Sequence, residues 1–350
     1  MQTPLCDVVI PAWNHPDLTR DCVQSLLEHT EIPARLIIVD NGSDPETIQI
    51  LRSFKGNDRV ALQILYNSTN EGFSKACNRG MRISDADYIC LLNNDTLVTH
   101  GWLSEMIRIA NTQQEIGIVN PASNTFGEPP NRILPEKEVI EMGSSIGFCL
   151  LIKRQVIEKI GYLDEGFEQA YYEDVDYCFR AKQAGFLCVL AQRAYVFHVG
   201  EASSPSKRPA YVERNRQRFL QKWGPAQRIL YPIDLEKQWV ESDQFPRTLF
   251  TLVQHTRNAH AFIDIHCYNP HGYTKEASFR QAGLIEHADI HFIEYNGARA
   301  LFRWKVLQRA LLKRKKPYRF YASSQSEIKQ FLDSTHWLHR MKPLSLLNVS

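Results

Sequence analysis

The sequence lacks any long hydrophobic run, and nowhere do about 18 apolar residues follow one another, as a membrane-spanning helix requires. Residues 1–5 also lack the basic and apolar regions of a secretory signal peptide. We therefore expect a soluble protein, and attachment to a membrane surface stays open as an alternative.

An excess of charge of one sign is missing as well. Forty-one Lys and Arg stand against 39 Asp and Glu, which gives a formal net charge of +2. No whole-molecule field then attracts nucleic acid, so we expect no nucleic-acid partner, and any basic surface must be local.

Paired cysteines are absent too. The eight cysteines are scattered without a CxxC pair, and several lie inside apolar strand or helix patterns. Such cysteines are typical of reduced core residues rather than of a disulfide framework or a zinc cluster. They favour a cytoplasmic location.

What the chain does contain is an alternation of short apolar runs and amphipathic segments. The 350 residues are long enough for more than one domain, and 43% hydrophobic with 23% charged residues is typical of a globular protein. Strands that alternate with helices indicate an α/β fold with a mostly parallel sheet. The predicted strands are 6–11, 36–40, 62–66, 88–92, 116–119, 147–153, 186–190 and 194–198, and the predicted helices are 17–30, 44–53, 72–83, 102–111 and 154–160.

A second α/β rhythm follows a basic stretch, 205–223, which reads as a linker and a helix. We predict a first domain over 1–224, a linker over 225–245 and a small α/β domain over 246–350. In the second domain the predicted strands are 261–268, 289–295 and 318–322, and the predicted helices are 274–284, 298–313 and 326–332.

Acidic residues end two of the predicted strands. The buried run 88–92 is followed by Asn93, Asn94 and Asp95, and Asp40 ends an earlier strand. Ligands of open α/β sheets bind beyond the carboxyl ends of the strands, where Asp95 could hold a divalent cation on phosphates and Asp40 could accept hydrogen bonds from a base or ribose. The alternative for Asp95 is a polar turn that caps the next helix. No GxGxxG follows the first strand, which argues against a dinucleotide-binding dehydrogenase.

Five ordered motifs resemble the family 2 glycosyltransferases of GT-A fold, in particular the bacterial polysaccharide and rhamnosyltransferase-like subgroup. The resemblance covers roughly residues 5–224. The motifs are 8–14 (VVIPAWN), 38–43 (IVDNGS), 67–80 (NSTNEGFSKACNRG), 91–96 (LLNNDT) and 172–180 (YEDVDYCFR).

The resemblance implies a set of nucleotide contacts. Trp13 stands where the family more often has Tyr, and Gly72 would let a diphosphate approach the N-terminus of the following helix. For Asn78 a solvated or capping side chain is the alternative. The implied contacts are Pro11, Trp13, Asp40, Gly72, Asn78 and Asn94.

The resemblance also implies a metal and a base. The family's Asp-x-Asp motif has Asn93 in place of its first acid, so Asp95 is its one carboxylate, and His198 resembles a late His ligand to Mn²⁺ or Mg²⁺. Asp174 matches the catalytic base and Glu173 its acidic neighbour. An edge histidine and simple first-turn capping are the respective alternatives.

The implied function is inverting transfer of a single sugar to a hydroxyl of a glycan or lipid-linked glycan, with a UDP- or dTDP-sugar as donor. A catalytically inactive nucleotide-sugar or glycan-binding module of the same fold is the competing hypothesis. A sugar-nucleotide pyrophosphorylase is disfavoured, because residues 8–17 lack its glycine-rich, basic phosphate loop.

The role of the second domain stays open, since residues 246–350 resemble no family known to us. Its predicted basic helix, 298–316, carries Trp304 on an apolar stripe and could contact the inner face of an anionic membrane peripherally. The alternative is a packed amphipathic helix with a solvated basic end. Four scattered histidines, His255, His260, His266 and His271, are expected to be structural.

Overall fold

The chain forms two compact units, Met1–Lys222 and Trp223–Ser350. We describe them from a computed structural model. The structure describes residues 5–124, 138–200, 210–235, 244–295, 297–312, 317–335 and 341–344.

The described part of the N-terminal unit contains a nine-stranded sheet with helices packed on it. Its strands are β1 (Cys6–Ala12), β2 (Ala34–Asp40), β3 (Val60–Tyr66), β4 (Tyr88–Leu92), β5 (Thr96–Val98), β6 (Ile116–Ala122), β7 (Val139–Glu141), β8 (Cys149–Lys153) and β9 (Leu187–His198). Its helices are α1 (Pro16–His29), α2 (Pro45–Ser53), α3 (Phe73–Arg82), α4 (Trp102–Ala110), α5 (Arg154–Ile160), α6 (Glu173–Gln183) and α7 (Ala210–Trp223).

The strand order β3-β2-β1-β4-β8-β6-β9-β5, with β7 beside β9, confirms the predicted α/β fold. The first four strands run parallel, so their carboxyl ends meet at one edge. Strand β8 runs antiparallel between β4 and β6, with Cys149 opposite Leu92. The loop that leads into β8 therefore lies at the same edge of the sheet.

Close packing between α3 and β1 fixes one face of this sheet. A Cβ on Gly80 would lie 2.4 Å from Cγ1 of Val9, so the helix can approach the strand only with glycine there. The surrounding cluster includes Met81 and Ile89, both fully buried. All eight cysteines are buried and free, which confirms their predicted place in the core.

The two strands predicted at the end of this unit are one strand, β9. It pairs in parallel with β6 and then, beyond a register shift after Pro121, in antiparallel with β5. The apolar pattern breaks at Gln192 and Arg193, where the register of β9 against β6 shifts between the pairs Pro121–Ala191 and Ala122–Tyr195. The last residue, His198, lies opposite Thr96.

The described part of the second unit has a five-stranded parallel sheet of order β12-β11-β10-β13-β14. Its strands are β10 (Gln227–Asp234), β11 (Ala261–Tyr268), β12 (Ile290–Tyr295), β13 (Phe320–Tyr321) and β14 (Lys342–Pro343). Its helices are α8 (Gln244–Asn258), α9 (Lys275–Gln281), α10 (Arg299–Leu312) and α11 (Ser326–Asp333).

The predicted linker over 225–245 is wrong, because it contains β10, the central strand of this sheet. Pro232 accounts for the error, since proline cannot donate to a strand ladder and usually argues against a central strand. Here Pro232 lies opposite His266 in β11, and its carbonyl accepts a hydrogen bond from Ser323 Oγ at 3.0 Å. Helix α8 is a second difference, because the sequence pattern predicts no helix over Gln244–Asn258.

Helix α10 corresponds to the predicted basic helix 298–316, of which residues 313–316 lie outside the described part of the chain. Phe302 and Val306 are buried and face the core, whereas Trp304 is 62% exposed and Leu301 54% exposed. The alternative of a packed amphipathic helix therefore holds for Phe302 and Val306 but not for Trp304. No helix in the described residues is both long enough and apolar enough to cross a membrane.

Buried His266 hydrogen-bonds the phenols of Tyr295 and Tyr318, at 2.8 and 3.2 Å, within this second unit. Both ring nitrogens are thus used by the protein, as expected for a structural histidine.

Candidate active site

Asp40 and Asn41 lie at the carboxyl edge, where β2 ends. Asp40 is 1% exposed and accepts a hydrogen bond from the N–H of Ser43 at 3.2 Å. The Asn41 side chain accepts from Asn67 Nδ2 at 2.9 Å and from the N–H of Glu71 at 3.1 Å. Asn41 therefore ties the end of β2 to the segment that enters α3, a role that sequence reasoning missed.

The loop after β1 presents Trp13 to solvent. Trp13 is 50% exposed, whereas Pro11 is buried inside β1 opposite Val39. Asn14 follows in a left-handed conformation, and its N–H donates to Ser43 Oγ at 2.9 Å. Of the two residues predicted here as nucleotide contacts, the structure exposes Trp13 and buries Pro11.

Gly72 has a different role from the predicted one. Its φ is +88°, and a Cβ there would lie 3.2 Å from the backbone of Gln169. The N–H of Phe73, at the start of α3, already donates to the carbonyl of Gln169 at 2.6 Å. The close approach that glycine permits is thus made by another segment of the chain, not left for a diphosphate.

Asn78 is a structural residue, which corrects its prediction as a nucleotide contact. It is fully buried, and its Nδ2 donates to the carbonyl of Leu163 and to Glu165 Oε1, both at 2.9 Å. Its Oδ1 accepts the N–H of Leu163 at 3.0 Å. All of its polar atoms therefore fasten the segment 163–165 to α3.

Asp95 does not cap a helix, because β5 follows it directly and the N-cap of α4 is Gly101. The carboxylate is 4% exposed, and neither oxygen accepts a hydrogen bond within the described part of the chain. Nε2 of His198 lies 3.3 Å from Oδ1, and it too lacks a hydrogen-bond partner among the described residues. Buried Oδ1 of Asn93 is a fourth polar atom without a hydrogen-bond partner among the described residues.

Leaving such groups buried and unpaired costs several kcal/mol. The site therefore fits a cation, because Asp95 oxygens and a His198 nitrogen are ligands that Mn²⁺ and Mg²⁺ sites use. The described residues contain no cluster of three or more His, Cys, Asp or Glu that could hold a metal. A bound ion would need further oxygen ligands from outside the protein.

Neighbouring residues hold this pair in place. The His198 ring stacks on Phe148, with centroids 5.0 Å apart and planes at 15°, and its backbone N–H donates to Asn124 Oδ1 at 2.8 Å. Asn94, predicted to contact the nucleotide, instead donates from Nδ2 to Thr19 Oγ1 of α1 at 2.8 Å. The Asn94 side chain therefore holds the loop after β4 against α1.

The two acids at the start of α6 lie in different surroundings. Asp174 is partly exposed, and its oxygens accept the N–H groups of Gly147 at 2.7 Å and Val175 at 2.8 Å. Burial raises the pKa of Asp174, although these N–H groups pull it down. Glu173 is 4% exposed, and burial and then the Asp174 charge raise its pKa well above the ordinary value.

First-turn capping explains these acids only in part. The Asp174 bond to Val175 is of that type, whereas Asp176 forms ion pairs with Arg180 at 2.9 Å and Lys222 at 2.6 Å. Oε2 of Glu173 has no hydrogen-bond partner within the described residues. Capping alone leaves the burial of Glu173 without an explanation.

Residues 147 and 148 join the two halves of the site. Gly147 donates to Asp174, while the carbonyl of Phe148 accepts the N–H of Asn93 at 2.8 Å and its ring supports His198. The acid at the α6 start and the Asp95–His198 pair are thereby connected through two consecutive residues. No sequence signal marks this loop, apart from a glycine next to an aromatic residue.

The segment before α6 is strained. Gln169, Tyr171 and Tyr172 have φ values of +58°, +79° and +77°, although none of them is glycine. Each left-handed residue costs about 1–2 kcal/mol. Such outliers cluster at functional sites, which fits the place of this segment next to Asp174.

Comparison with known proteins places this geometry in context. The model of the family described as Glycosyl transferase family 2 matches residues 7–161. The low-salt glycan biosynthesis hexosyltransferase Agl10 of Haloferax volcanii is 27% identical in an alignment of 245 positions that covers 63% of this chain and 76% of that protein.

Other similar proteins are longer or more distant. An uncharacterized protein of Sinorhizobium fredii, y4gI, is 26% identical in an alignment of 245 positions that covers 60% of this chain, and the chain spans 26% of that protein's length. The mannosyltransferase PcManGT of Pyrobaculum calidifontis, solved with GDP-Man and Mn²⁺, is 15% identical with a TM-score of 0.49, covering 62% of each chain.

Proposed function

The N-terminal unit of this chain belongs to glycosyl transferase family 2, and from that premise we propose that it is an inverting, metal-dependent glycosyltransferase. It would move a single hexosyl or deoxyhexosyl group from a UDP- or dTDP-sugar to a hydroxyl of a glycan or lipid-linked glycan. The 76% coverage of a relative named as a hexosyltransferase supports this reaction class. We place the reaction in cytoplasmic polysaccharide biosynthesis.

The observation that carries the proposal is the buried Asp95 carboxylate beside the buried Nε2 of His198, atoms without hydrogen-bond partners in the described residues, joined through Phe148 and Gly147 to Asp174. Asp95 and His198 would hold Mn²⁺ or Mg²⁺. The bound cation would stabilise the negative charge of the leaving nucleoside diphosphate.

Asp174 would take the proton of the acceptor hydroxyl as that oxygen attacks the anomeric carbon. Its raised pKa makes it a better proton acceptor than an ordinary aspartate, and two backbone N–H groups fix its direction. Burial and the Asp174 charge raise the pKa of Glu173, which favours one negative charge rather than two at the base.

Trp13 and Asp40 remain the proposed contacts to the nucleoside. Trp13 offers a half-exposed ring beside the end of β1, and Asp40 lies on the neighbouring strand, with Ala12 opposite it in register. A ring that can stack and a carboxylate that can accept hydrogen bonds suit a base and a ribose.

The test is titration of the full chain with nucleotide sugars, with and without Mn²⁺, followed by transfer or slow donor hydrolysis. Asp95→Ala should lower Mn²⁺-dependent donor affinity by roughly 10-fold or more, and Asp174→Asn should abolish transfer while donor binding persists. Unchanged metal titration in the first variant removes the ligand role. Full activity in the second removes the base.

The competing hypothesis, an inactive nucleotide-sugar or glycan-binding module, makes a different prediction in the same experiment. Such a module would bind donor but neither transfer nor hydrolyse it, and Asp174→Asn would change nothing. The retention of Asp95 and Asp174, both placed at the carboxyl edge, favours the enzyme.

We also propose that α10 contacts an anionic membrane surface peripherally. Exposed Trp304 and Leu301 lie among Arg303, Lys305 and Arg309, on a helix without acidic residues. Sedimentation with vesicles of neutral or anionic lipid tests this.

Binding to anionic vesicles should fall in Trp304→Ala and persist in the matched control Phe250→Ala, since Phe250 is a 50% exposed aromatic residue of α8. Equal binding to both lipid types would refute the contact.

A further inference from the structure

One face of α7 holds the strained segment 168–172 that leads into α6. Asn215 on this face is 2% exposed, and its Oδ1 accepts the N–H of Glu168 at 3.1 Å. Its Nδ2 donates to the carbonyls of Glu168 at 2.8 Å, Ala170 at 2.9 Å and Tyr171 at 3.2 Å. One buried amide therefore contacts four backbone groups of this segment.

Ion pairs and rings on the same helix reinforce the contact. Phe219 packs against Tyr172 with ring centroids 5.5 Å apart, so α7 contacts the last residue before α6 as well. Three basic residues at four-residue spacing reach acids within this segment and on either side of it: Arg214 pairs with Glu168 at 2.5 Å, Arg218 with Asp164 at 3.1 Å, and Lys222 with Asp164 at 3.2 Å and Asp176 at 2.6 Å. These three residues of α7 thus hold the chain before and within α6.

The position of this segment determines how α6 begins. Tyr172 is the N-cap of α6, and Asp174 follows two residues later. Gln169, in the middle of the segment, also accepts the N–H of Phe73 at the start of α3. Left-handed backbone at three non-glycine residues persists only when the surroundings fix it, and Asn215 supplies four of the hydrogen bonds that do so.

We propose that Asn215 is a positioning residue for glycosyl transfer. Through segment 168–172 it fixes the first turn of α6 and thereby the direction of the Asp174 carboxylate toward the acceptor hydroxyl. This inference rests on the proposed function, in which Asp174 is the base. Asn215 itself touches no reacting atom.

The experiment compares Asn215→Ala with wild type in the full chain, using saturating donor and acceptor. Small misplacement of a catalytic group can cost up to about 100-fold in rate, so we expect kcat to fall roughly 10- to 100-fold while the donor Kd changes by less than about 2-fold. Gln217→Ala is the matched control on α7, since exposed Gln217 bonds Glu213 of its own helix, and it should leave kcat unchanged.

A second variant keeps the test informative if the alanine variant does not fold. Asn215→Asp preserves the shape and the acceptor for the Glu168 N–H but places an oxygen against the carbonyls of Ala170 and Tyr171. It should be at least as slow as the alanine variant. Asn215→Ser, which retains one hydroxyl donor, should fall between the alanine variant and wild type.

Two readouts separate positioning from a purely structural role. The acidic limb of the kcat pH profile should shift in Asn215→Ala, because the surroundings of Asp174 change. In an Asp174→Asn background the same substitution should slow any residual reaction by less than about 2-fold, since both changes act through one group. A lowered melting temperature with unchanged kcat and pH profile would overturn the proposal.

Failure of this inference differs from failure of the proposed function. If Asp174→Asn is inactive while every folded Asn215 variant keeps wild-type kcat, only the role of Asn215 is refuted. If Asp174→Asn is fully active, the assignment of the base itself is refuted.

Discussion

Replacing Gly147 with alanine tests how closely the rate depends on the position of Asp174. A Cβ at Gly147 would lie 3.1 Å from Oδ2, 3.2 Å from Cβ and 3.4 Å from Cγ of Asp174. Optimal separations between carbon atoms are about 3.5–4.0 Å, so the side chain must retreat by roughly 0.3–0.5 Å. The φ of Gly147 is not in the left-handed region, so the backbone itself accepts alanine without strain.

The expected result is a selective loss of rate. A shift of a few tenths of an ångström also lengthens the 2.7 Å hydrogen bond from the Gly147 N–H to Asp174. We expect kcat to fall about 10-fold, which corresponds to about 1.4 kcal/mol of transition-state stabilisation. Because Asp174 is partly exposed and can move, the free energy of unfolding should change by no more than about 1 kcal/mol.

The assay is steady-state transfer at saturating donor, with donor Kd and urea unfolding measured on the same preparations. Gln217→Ala is the control, because exposed Gln217 bonds Glu213 of its own helix and has no place in the proposed site. That variant should retain kcat. Wild-type kcat in Gly147→Ala would refute the placement of Asp174, and an equal loss of donor affinity would locate the effect at the neighbouring Phe148.

Three further substitutions test the site by other measurements. Glu173→Gln should stabilise the protein at pH 8, because the raised pKa of Glu173 means that the fold favours its protonated form. Wild type therefore loses stability as the pH rises from the ordinary glutamate pKa to the raised one, by about 1.36 kcal/mol for each pH unit between the two. Urea unfolding should show that the gain in the variant vanishes below about pH 4, under the ordinary glutamate pKa. Asn78→Ala should lower the free energy of unfolding in urea by about 2–4 kcal/mol, since three hydrogen bonds of this buried side chain are lost, and it should leave donor Kd unchanged. A selective loss of donor affinity would restore the predicted nucleotide role of Asn78. His198→Ala should weaken Mn²⁺-supported donor binding by roughly 10-fold in calorimetry while metal-free binding stays constant, and equal loss in both conditions would contradict the ligand role.

The parts of the site that the sequence predicts are those that depend on strand ends. Parallel strands bring their carboxyl ends to one edge, so Asp40 and Asp95 can be assigned to that edge from the order of apolar runs alone. The placement of Asp174 needs the family resemblance as well, because α6 reaches the edge through an irregular segment. No periodic pattern describes such a segment.

The parts that the sequence does not predict depend on distant backbone atoms. Asn78 looks like an available polar side chain on a helix, but its partners at Leu163 and Glu165 lie 85 and 87 residues further along the chain. Gly72 is correctly predicted as a close-approach glycine, yet the approaching group is Gln169 rather than a ligand. Residue type indicates that a contact is needed and does not say which group supplies it.

The wrong predictions in the second unit have the same cause, because they too depend on contacts that residue type does not specify. Strand β10 contains Pro232 and polar residues at both ends, which is a linker-like composition, and it becomes a central strand because β11 and β13 pair on its two sides. In the opposite sense, Trp304 has the spacing of a packed residue but lies on the solvent side of α10, since Phe302 and Val306 already fill the core. Which side chains fill the core depends on the elements packed around a helix, so helical periodicity alone does not determine which face of α10 is buried.

The two acids proposed for the reaction differ in what surrounds them, and that difference favours a different proposed role for each. Asp95 receives no hydrogen bond from the described residues and faces an equally unpartnered imidazole, so its negative charge is left for a cation. Asp174 receives two backbone N–H groups that fix its direction, while burial raises its pKa, and burial together with the Asp174 charge raises the pKa of its neighbour Glu173. A carboxylate without donors suits a metal, and an oriented carboxylate of raised pKa suits a base.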